Sequence, residues 1–271
     1  MSVVDKEIRE EQKQALSTMN TKQKLAYFWD YYKIHTLVTI GIIAIAASLI
    51  RQYVTSKDYG FYAVLINAVT TDANFELTEV WNEEFQEYAQ IDPNEYEVYI
   101  DTSVSMRESV DPQFLIANQQ RLLAMLQTGS ISAIITDTET FETYSQFEYF
   151  FDLESVFSKE TLDKYGLYLY YTDAATFDQA NDIPNDDESS QNDRADLVIN
   201  HRDPSTMEQP VAVGIILTED NMIADAGYYA YLEATKMEYQ GYPSDVVLGI
   251  PLTNKEPELI IRFLEYLKLG D

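Results

Sequence analysis

The sequence predicts an α/β protein, with one N-terminal transmembrane helix followed by a domain built on a mainly parallel sheet. Three observations carry this expectation. Residues 34–50, IHTLVTIGIIAIAASLI, contain no charged residue, and Lys33 and Arg51 close the stretch at either end. Beyond it, short apolar runs of strand length alternate with longer segments whose apolar residues recur at helical spacing. Strand, helix, strand, helix, strand describes a βαβαβ unit, whose right-handed crossovers place helices on the faces of a parallel sheet.

The uncharged stretch is at the short end of what spans a hydrocarbon core as a helix. Tyr27, Phe28, Trp29, Tyr31 and Tyr32 extend it on the amino side. Such aromatics suit the headgroup interface, so Trp29, Tyr31, Tyr32, Lys33 and Arg51 are the expected contacts with the lipid bilayer. Ala44-Ile45-Ala46 also fits a signal-peptide cleavage site. The region before it is long and acid-bearing, however, and Leu49-Ile50 continue the apolar run, so an uncleaved anchor is expected. Lys22, Lys24 and Lys33 precede the span while Arg51 and Lys57 follow closely, which orients the head to the cytoplasm. The division is a cytoplasmic helical head at 1–33, the span at 34–50, a linker at 51–58 and an extracytoplasmic α/β domain at 59–271. Asn20 is a candidate cap for the head helix.

Residues 58–271 carry 41 Asp and Glu against 10 Lys and Arg, within a formal charge of −28 for the chain. Nucleic-acid binding, which needs a positive surface, is thereby disfavoured. Such a field could steer cationic ligands or partners, but a well-solvated surface is the reading preferred. The absence of cysteine excludes a disulfide scaffold, a thiolate metal site and a lipidated cysteine anchor. A cysteine-free exported domain fits a Gram-positive bacterial surface. The 21 tyrosines can line a sugar or peptide site, or fill half-buried strand positions.

Gly60–Asn67 is a nearly continuous apolar run, as a strand covered on both faces would be. Leu77–Ala89 follows as a helix with Leu77, Val80, Trp81, Phe85 and Tyr88 on one face. Tyr96, Val98 and Ile100 alternate with polar neighbours to give a second strand. Asp111-Pro112 opens a helix that Gly129 ends, with Phe114, Leu115, Leu122, Leu123 and Leu126 as its apolar face. Ile131–Ile135 is a third strand, Thr138–Phe147 a helix, and Phe150–Leu153 a short apolar run. Ser158 caps KETLDKYG, and Leu167–Tyr171 reads as a strand. Asn181–Asp196 is a polar, acidic surface excursion. Asp196–Asn200, Val211–Leu217 and Val246–Ile250 are further strands, and Pro257–Leu269 is a closing helix. The domain holds one lobe or two, the second around 154–245.

Two of these stretches resemble the extracytoplasmic solute-binding proteins of the type II periplasmic-binding-protein fold. One is the run from Gly129 through SISAIITDTETFETYSQFEYFFDL, the other VVLGIPLTN leading into PELIIRFLEYL. The resemblance implies a periplasmic-binding-protein-like domain that captures a small solute or peptide without chemistry, acting with an ABC-type transporter or another membrane-complex subunit. Ser130 and Ser132 stand where that family commonly has acidic residues, and a membrane helix replaces its usual lipid anchor. The rival reading is a structural or assembly subunit of a membrane complex, with the fold kept and the binding cleft lost.

Catalytic material is sparse. His35 lies at the membrane edge and His201 in a polar Asn-His-Arg-Asp turn, where it reads as an exposed loop residue, so a His triad or His-rich zinc site has little to draw on. The acidic loop at 186–196 lacks the calcium-loop pattern. No catalytic residue, metal or cofactor is expected. In open parallel sheets ligands bind beyond the carboxyl ends of strands, which here are Asn67–Thr70 and Thr136–Thr138. Asn67, Thr70, Thr136, Asp137 and Thr138 are therefore the candidate ligand-binding residues, with helix capping by Thr136 or Asp137 as the alternative role.

Overall fold

Asn20 and Gln23 cap the first helix reciprocally: Asn20 Oδ1 accepts from the Gln23 amide at 3.1 Å, and Gln23 Oε1 accepts from the Asn20 amide at 3.0 Å. Two otherwise orphaned amides are thereby satisfied. The computed structural model describes residues 17, 19–55, 57–107, 111–177 and 199–269. The chain divides into two units, Met1–Ser56 and Lys57–Asp271. In the first, helix α1 (Thr21–Thr55) is continuous through head and apolar stretch. Its Tyr32–Arg51 segment is long and apolar enough to cross a membrane, and none of it is buried against protein. Phe28 and Tyr32 stack one turn apart, with ring centroids 5.4 Å apart. Trp29, Tyr32, Lys33 and Arg51 are exposed, while the Tyr31 side chain lies outside the described residues. The linker expected at 51–58 is shorter than the sequence suggested. The helix runs on to Thr55 and strand β1 (Asp58–Leu65) starts three residues later, because RQYVT contains neither glycine nor proline.

The second unit is one six-stranded sheet with helices on both faces. After β1 come α2 (Leu77–Tyr88), β2 (Tyr96–Asp101), α3 (Pro112–Thr128), β3 (Ala133–Asp137) and α4 (Thr138–Gln146). Short helices α5 (Leu153–Val156) and α6 (Lys159–Lys164) lead to β4 (Leu169–Asp173) and β5 (Pro210–Ile216). Then follow α7 (Met222–Asp225), α8 (Ala230–Thr235), the small hairpin β6 (Glu238–Tyr239) and β7 (Tyr242–Pro243), β8 (Val246–Gly249) and α9 (Glu258–Tyr266). The strand order is β2-β1-β3-β8-β5-β4. β1 pairs in parallel with β2 and β3, while the β3–β8, β8–β5 and β5–β4 pairs are antiparallel, so four of the six strands share one direction. Residues 154–245, where a second lobe was entertained, contribute β4 and β5 to this same sheet. The acidic excursion at 181–196 and residues 196–198 of the strand expected at Asp196–Asn200 lie outside the described residues; Ile199 and Asn200 belong to no strand.

Strand alternation distributes the apolar runs to two cores. Phe61, Ala63 and Leu65 of β1 point to a layer closed by Trp81 and Phe85 of α2 and by Ile260, Phe263 and Leu264 of α9. Tyr62, Val64 and Ile66 point to the other face, under Leu122 and Leu126 of α3, Phe141 of α4, and Phe150. This is why the central strands read as continuous apolar runs rather than alternating ones. On α3 the expected inner face was partly wrong: Phe114 and Leu123 are 51% and 42% exposed. The buried face runs through Asn118, Leu122 and Leu126, and Asn118 satisfies its amide on the Ser105 carbonyl at 2.9 Å. Asp111 caps α3 by accepting from the Gln113 amide, and Gly129 closes it at φ +68°, where an added Cβ would lie 2.8 Å from the Thr253 carbonyl oxygen. Replacing Asp111 by Ala should lower stability by about 1 kcal/mol in urea unfolding.

At the edge strand β2, Asn82 Oδ1 accepts from the Ile100 amide and Gln86 Nε2 donates to the Tyr96 carbonyl, so helix α2 occupies part of the exposed ladder. The same strand ends in a buried carboxylate. Asp101 accepts from Tyr62 Oη, Ser103 Oγ and Arg121 Nη2, each at 2.6 Å. Burial alone would raise its pKa, but the hydrogen bonds from Ser103 and Tyr62 and the Arg121 charge outweigh it and hold the carboxyl below its ordinary 3.8. A depressed folded pKa stabilises above the unfolded value and is lost as pH falls through the folded one. Asp101→Asn should therefore melt below the parent at neutral pH and converge with it in acid, as followed by melting temperature against pH.

Candidate functional site

The carboxyl ends of β1 and β3 meet at a polar junction. Asn67 follows β1 in the left-handed region, at φ +64°, which asparagine tolerates better than most residues. Its Nδ2 donates to Asp137 Oδ2 at 2.8 Å and to Thr140 Oγ1 at 3.1 Å, and its Oδ1 accepts from the Met106 amide at 2.7 Å. Asp137 caps α4 through the Thr140 amide at 3.0 Å and also accepts from Thr140 Oγ1. Across the neighbouring strand, Thr138 Oγ1 accepts from the Asp245 amide at 2.8 Å. Asn67, Asp137, Thr138 and Asp245 are buried, and Thr140 and Met106 are half-buried.

Helix α8 closes over this junction from a distant part of the chain. Tyr229 Oη lies 2.9 Å from the carbonyl oxygens of both Ile66 and Ile135, spanning the ends of β1 and β3. Burial holds this phenol well above its ordinary pKa. Two residues along, Tyr231 turns its ring under the Arg107 guanidinium, 3.8 Å from its centroid. Burial, and then the Asp137 charge, push the Tyr231 phenol up to about 12. Arg107 donates to the Asn67 carbonyl.

Beside these residues opens a cleft of about 770 Å³, walled by Met106, Tyr144, Tyr231 and Met237, with Glu139 and Thr143 exposed among its lining residues. That volume falls within the range that takes a small ligand. Of the five residues expected from the sequence, Asn67 and Asp137 line the cleft. Thr136 and Thr138 are buried and do not line it, and Thr70 is exposed and does not line it. Asp137 takes the capping role that was the alternative reading. Arg107, Tyr144 and Tyr231 were not anticipated. Arg107 sits in a loop without periodicity, and Tyr231 lies in a helix too short to read; only the tyrosine content hinted at them.

A second polar cluster lies under α4. Glu142 accepts from Thr172 Oγ1 at 2.9 Å and Tyr170 Oη at 3.2 Å. His201 was expected in an exposed loop but is 6% exposed, stacked flat on Tyr170 with centroids 4.5 Å apart. The turn that carries it folds against the sheet edge, where the Tyr171 amide donates to the His201 carbonyl. Its Nδ1 is 2.8 Å from the Tyr171 carbonyl, which assigns the hydrogen to Nδ1, and 3.8 Å from Glu142 Oε2. Burial raises the Glu142 pKa above 4.5, against the opposing effect of His201. An acid with a raised folded pKa binds more protons folded than unfolded, so its contribution to stability falls as pH rises above the unfolded value. Glu142→Gln should gain melting temperature relative to the parent as pH is raised from about 5 toward 8, and a constant difference would refute the assignment.

A larger hollow, about 1,170 Å³, lies at the opposite ends of β1–β3, lined by Lys57, Tyr96, Ser132, Lys255 and Arg262 among others. Lys57 donates to the Pro93 carbonyl and Arg262 to the Ala89 carbonyl. The smaller cleft has the better chemistry, because a half-buried guanidinium and aromatic walls converge there. The chain matches no protein-family model, no curated protein and no solved structure.

Proposed function

We propose that this chain is a single-pass membrane protein, amino terminus in the cytoplasm, that displays its α/β domain outside the cell to capture a small solute without chemistry. The observation that carries the reading is the cleft at the carboxyl ends of β1 and β3, where open sheets bind ligands. Its floor is pre-set by the Asn67–Asp137–Thr140 network, so little ordering is required on binding. The resemblance to extracytoplasmic solute-binding proteins agrees with this, since its two segments are neighbours here: Thr136 pairs with Val247, and Phe150 bridges to Pro251. By that resemblance the partner is an ABC-type transporter or another membrane-complex subunit.

The full chain in lipid nanodiscs, melted in the presence of sugars, amino acids, oligopeptides, organic acids and polyamines, tests the proposal. A native-state ligand at a hundred times its Kd adds about 2.7 kcal/mol, a resolvable shift. A second reading, an assembly subunit of a membrane complex, is favoured by one observation: Asn67, Asp137 and Thr138 spend their polar atoms inside the fold. No shift with any compound, together with loss of cellular function when residues 1–57 are replaced by an unrelated anchor, would establish that reading instead.

A further inference from the structure

Among the described arginines of this domain Arg107 alone is not exposed; Arg262, which also lacks a carboxylate partner, is exposed and donates to the Ala89 carbonyl. Arg121 pairs with Asp101 at 2.6 Å, and Arg202 grips Asp245 through two nitrogens at 2.9 and 2.6 Å, although both arginine side chains are 45% exposed. Arg107 is more enclosed and, among the described residues, has no carboxylate partner. The adjacent Asp137 does not serve, because Asn67, Thr140 and Thr136 direct their donors to its two oxygens.

The guanidinium is planar with five N–H donors in its plane. One face lies on the Tyr231 ring and one donor goes to the Asn67 carbonyl, an arrangement that fixes the plane and leaves further donors along its edge. A plane held this way loses little freedom when it binds, and its fork matches a carboxylate. Around it the cleft offers the apolar or aromatic surfaces of Met106, Tyr144 and Met237.

We infer that Arg107, laid on Tyr231, anchors the carboxylate of an organic acid whose apolar or aromatic body lies against Met106, Tyr144 and Met237. The inference rests on the cleft being a solute-capture site, and it reverses the preference for cations that net charge alone suggests. Distant exposed charges are largely screened in physiological salt; of the two carboxylates in the cleft lining, Asp137 is engaged by Asn67 and Thr140, and Glu139 is exposed to solvent.

The test is calorimetric titration of the full chain in nanodiscs with a matched pair, N-acetyl-phenylalanine and its carboxamide, and with N-acetyl-lysinamide as cationic probe. Smaller acids, down to acetate, complete the series. The acid should bind about tenfold or more tightly than its amide, the scale of one charge-assisted hydrogen bond. Arg107→Gln should erase that difference, and Arg107→Lys, which keeps charge without the fork, should retain part of it. Equal binding of acid and amide, or binding of the lysinamide alone, overturns the anion assignment and leaves solute capture standing. Failure of every acid in the series to bind at millimolar concentration overturns the assignment too, and failure of all ligands in the melting screen removes solute capture with it.

Discussion

Replacing Phe141 by Ala should lower the unfolding free energy of the domain by about 3–5 kcal/mol, the range for deleting a fully buried aromatic ring. Phe141 is inaccessible to solvent, lies parallel to Phe150 with centroids 4.5 Å apart, and meets Tyr170 edge-on at 5.0 Å. Its seat is made by two glycines on neighbouring strands. A Cβ on Gly249 would fall 2.7 Å from Phe141 and 2.6 Å from Phe150; one on Gly214 would fall 2.8 Å from Phe141. Gly249→Ala alone should therefore overpack the site and cost about 1–3 kcal/mol. In the double variant the methyl occupies space the ring vacated, and Phe150 can shift toward it. The combined loss should be smaller than the two single losses added. Urea unfolding of the four proteins measures this, and strict additivity would mean that the glycines do not form the ring's seat. The consequence reaches the cleft, because Phe141 fixes α4, whose first turn is capped by Asp137.

Much of the fold was readable because each element carries its own punctuation. Asp111-Pro112 and Gly129 bracket α3, Ser158 caps α6, and the unbroken apolar runs of β1, β3 and β8 announce strands covered on both faces. What the sequence could not reveal was order across the sheet. β8 comes from the far end of the chain yet inserts between β3 and β5, antiparallel to both. No local pattern records that choice, since a buried strand has the same composition in either direction. The short helices α7 and α8 and the β6–β7 hairpin were missed for a different reason. Each is held by contacts from elsewhere, such as Tyr229 across the ends of β1 and β3, rather than by its own periodicity.

The site was legible to the same partial degree. Sheet geometry led to Asn67 and Asp137, and both do lie at the cleft. Polar residues after a strand can equally be caps, and that is the role the Thr140 amide gives Asp137, while Asn67 braces Asp137 from β1. Arg107 and Tyr231 stand far apart in sequence in segments without pattern, and only folding stacks one on the other. His201 shows the converse error. A polar neighbourhood suggested exposure, whereas its ring fills a slot between Tyr170 and Tyr239 above a buried carboxylate.

Asn67→Ala is the second substitution with a large expected effect, roughly 2–4 kcal/mol, and the way that loss divides identifies the residue's role. One part is the junction itself. Without the amide, Asp137 loses a buried donor and the Met106 amide loses its acceptor, both costly at a largely buried junction. The other part is backbone. At φ +64° an alanine is strained by about 1 kcal/mol or more, and glycine is not. Asn67→Gly should thus be more stable than Asn67→Ala by about that amount while lacking the same hydrogen bonds. If Asn67 contacted the ligand directly, Asn67→Gly would lose affinity even in its folded fraction. The geometry instead places Asn67 beneath the surface, 4% exposed, with both ends of its amide engaged. Titrated well below its melting temperature with the acid that binds the parent chain, Asn67→Gly should keep affinity within about threefold, whereas Arg107→Gln should lose tenfold or more. The reverse ranking would move the contact from the arginine to the asparagine and make the junction, rather than the stacked guanidinium, the centre of recognition.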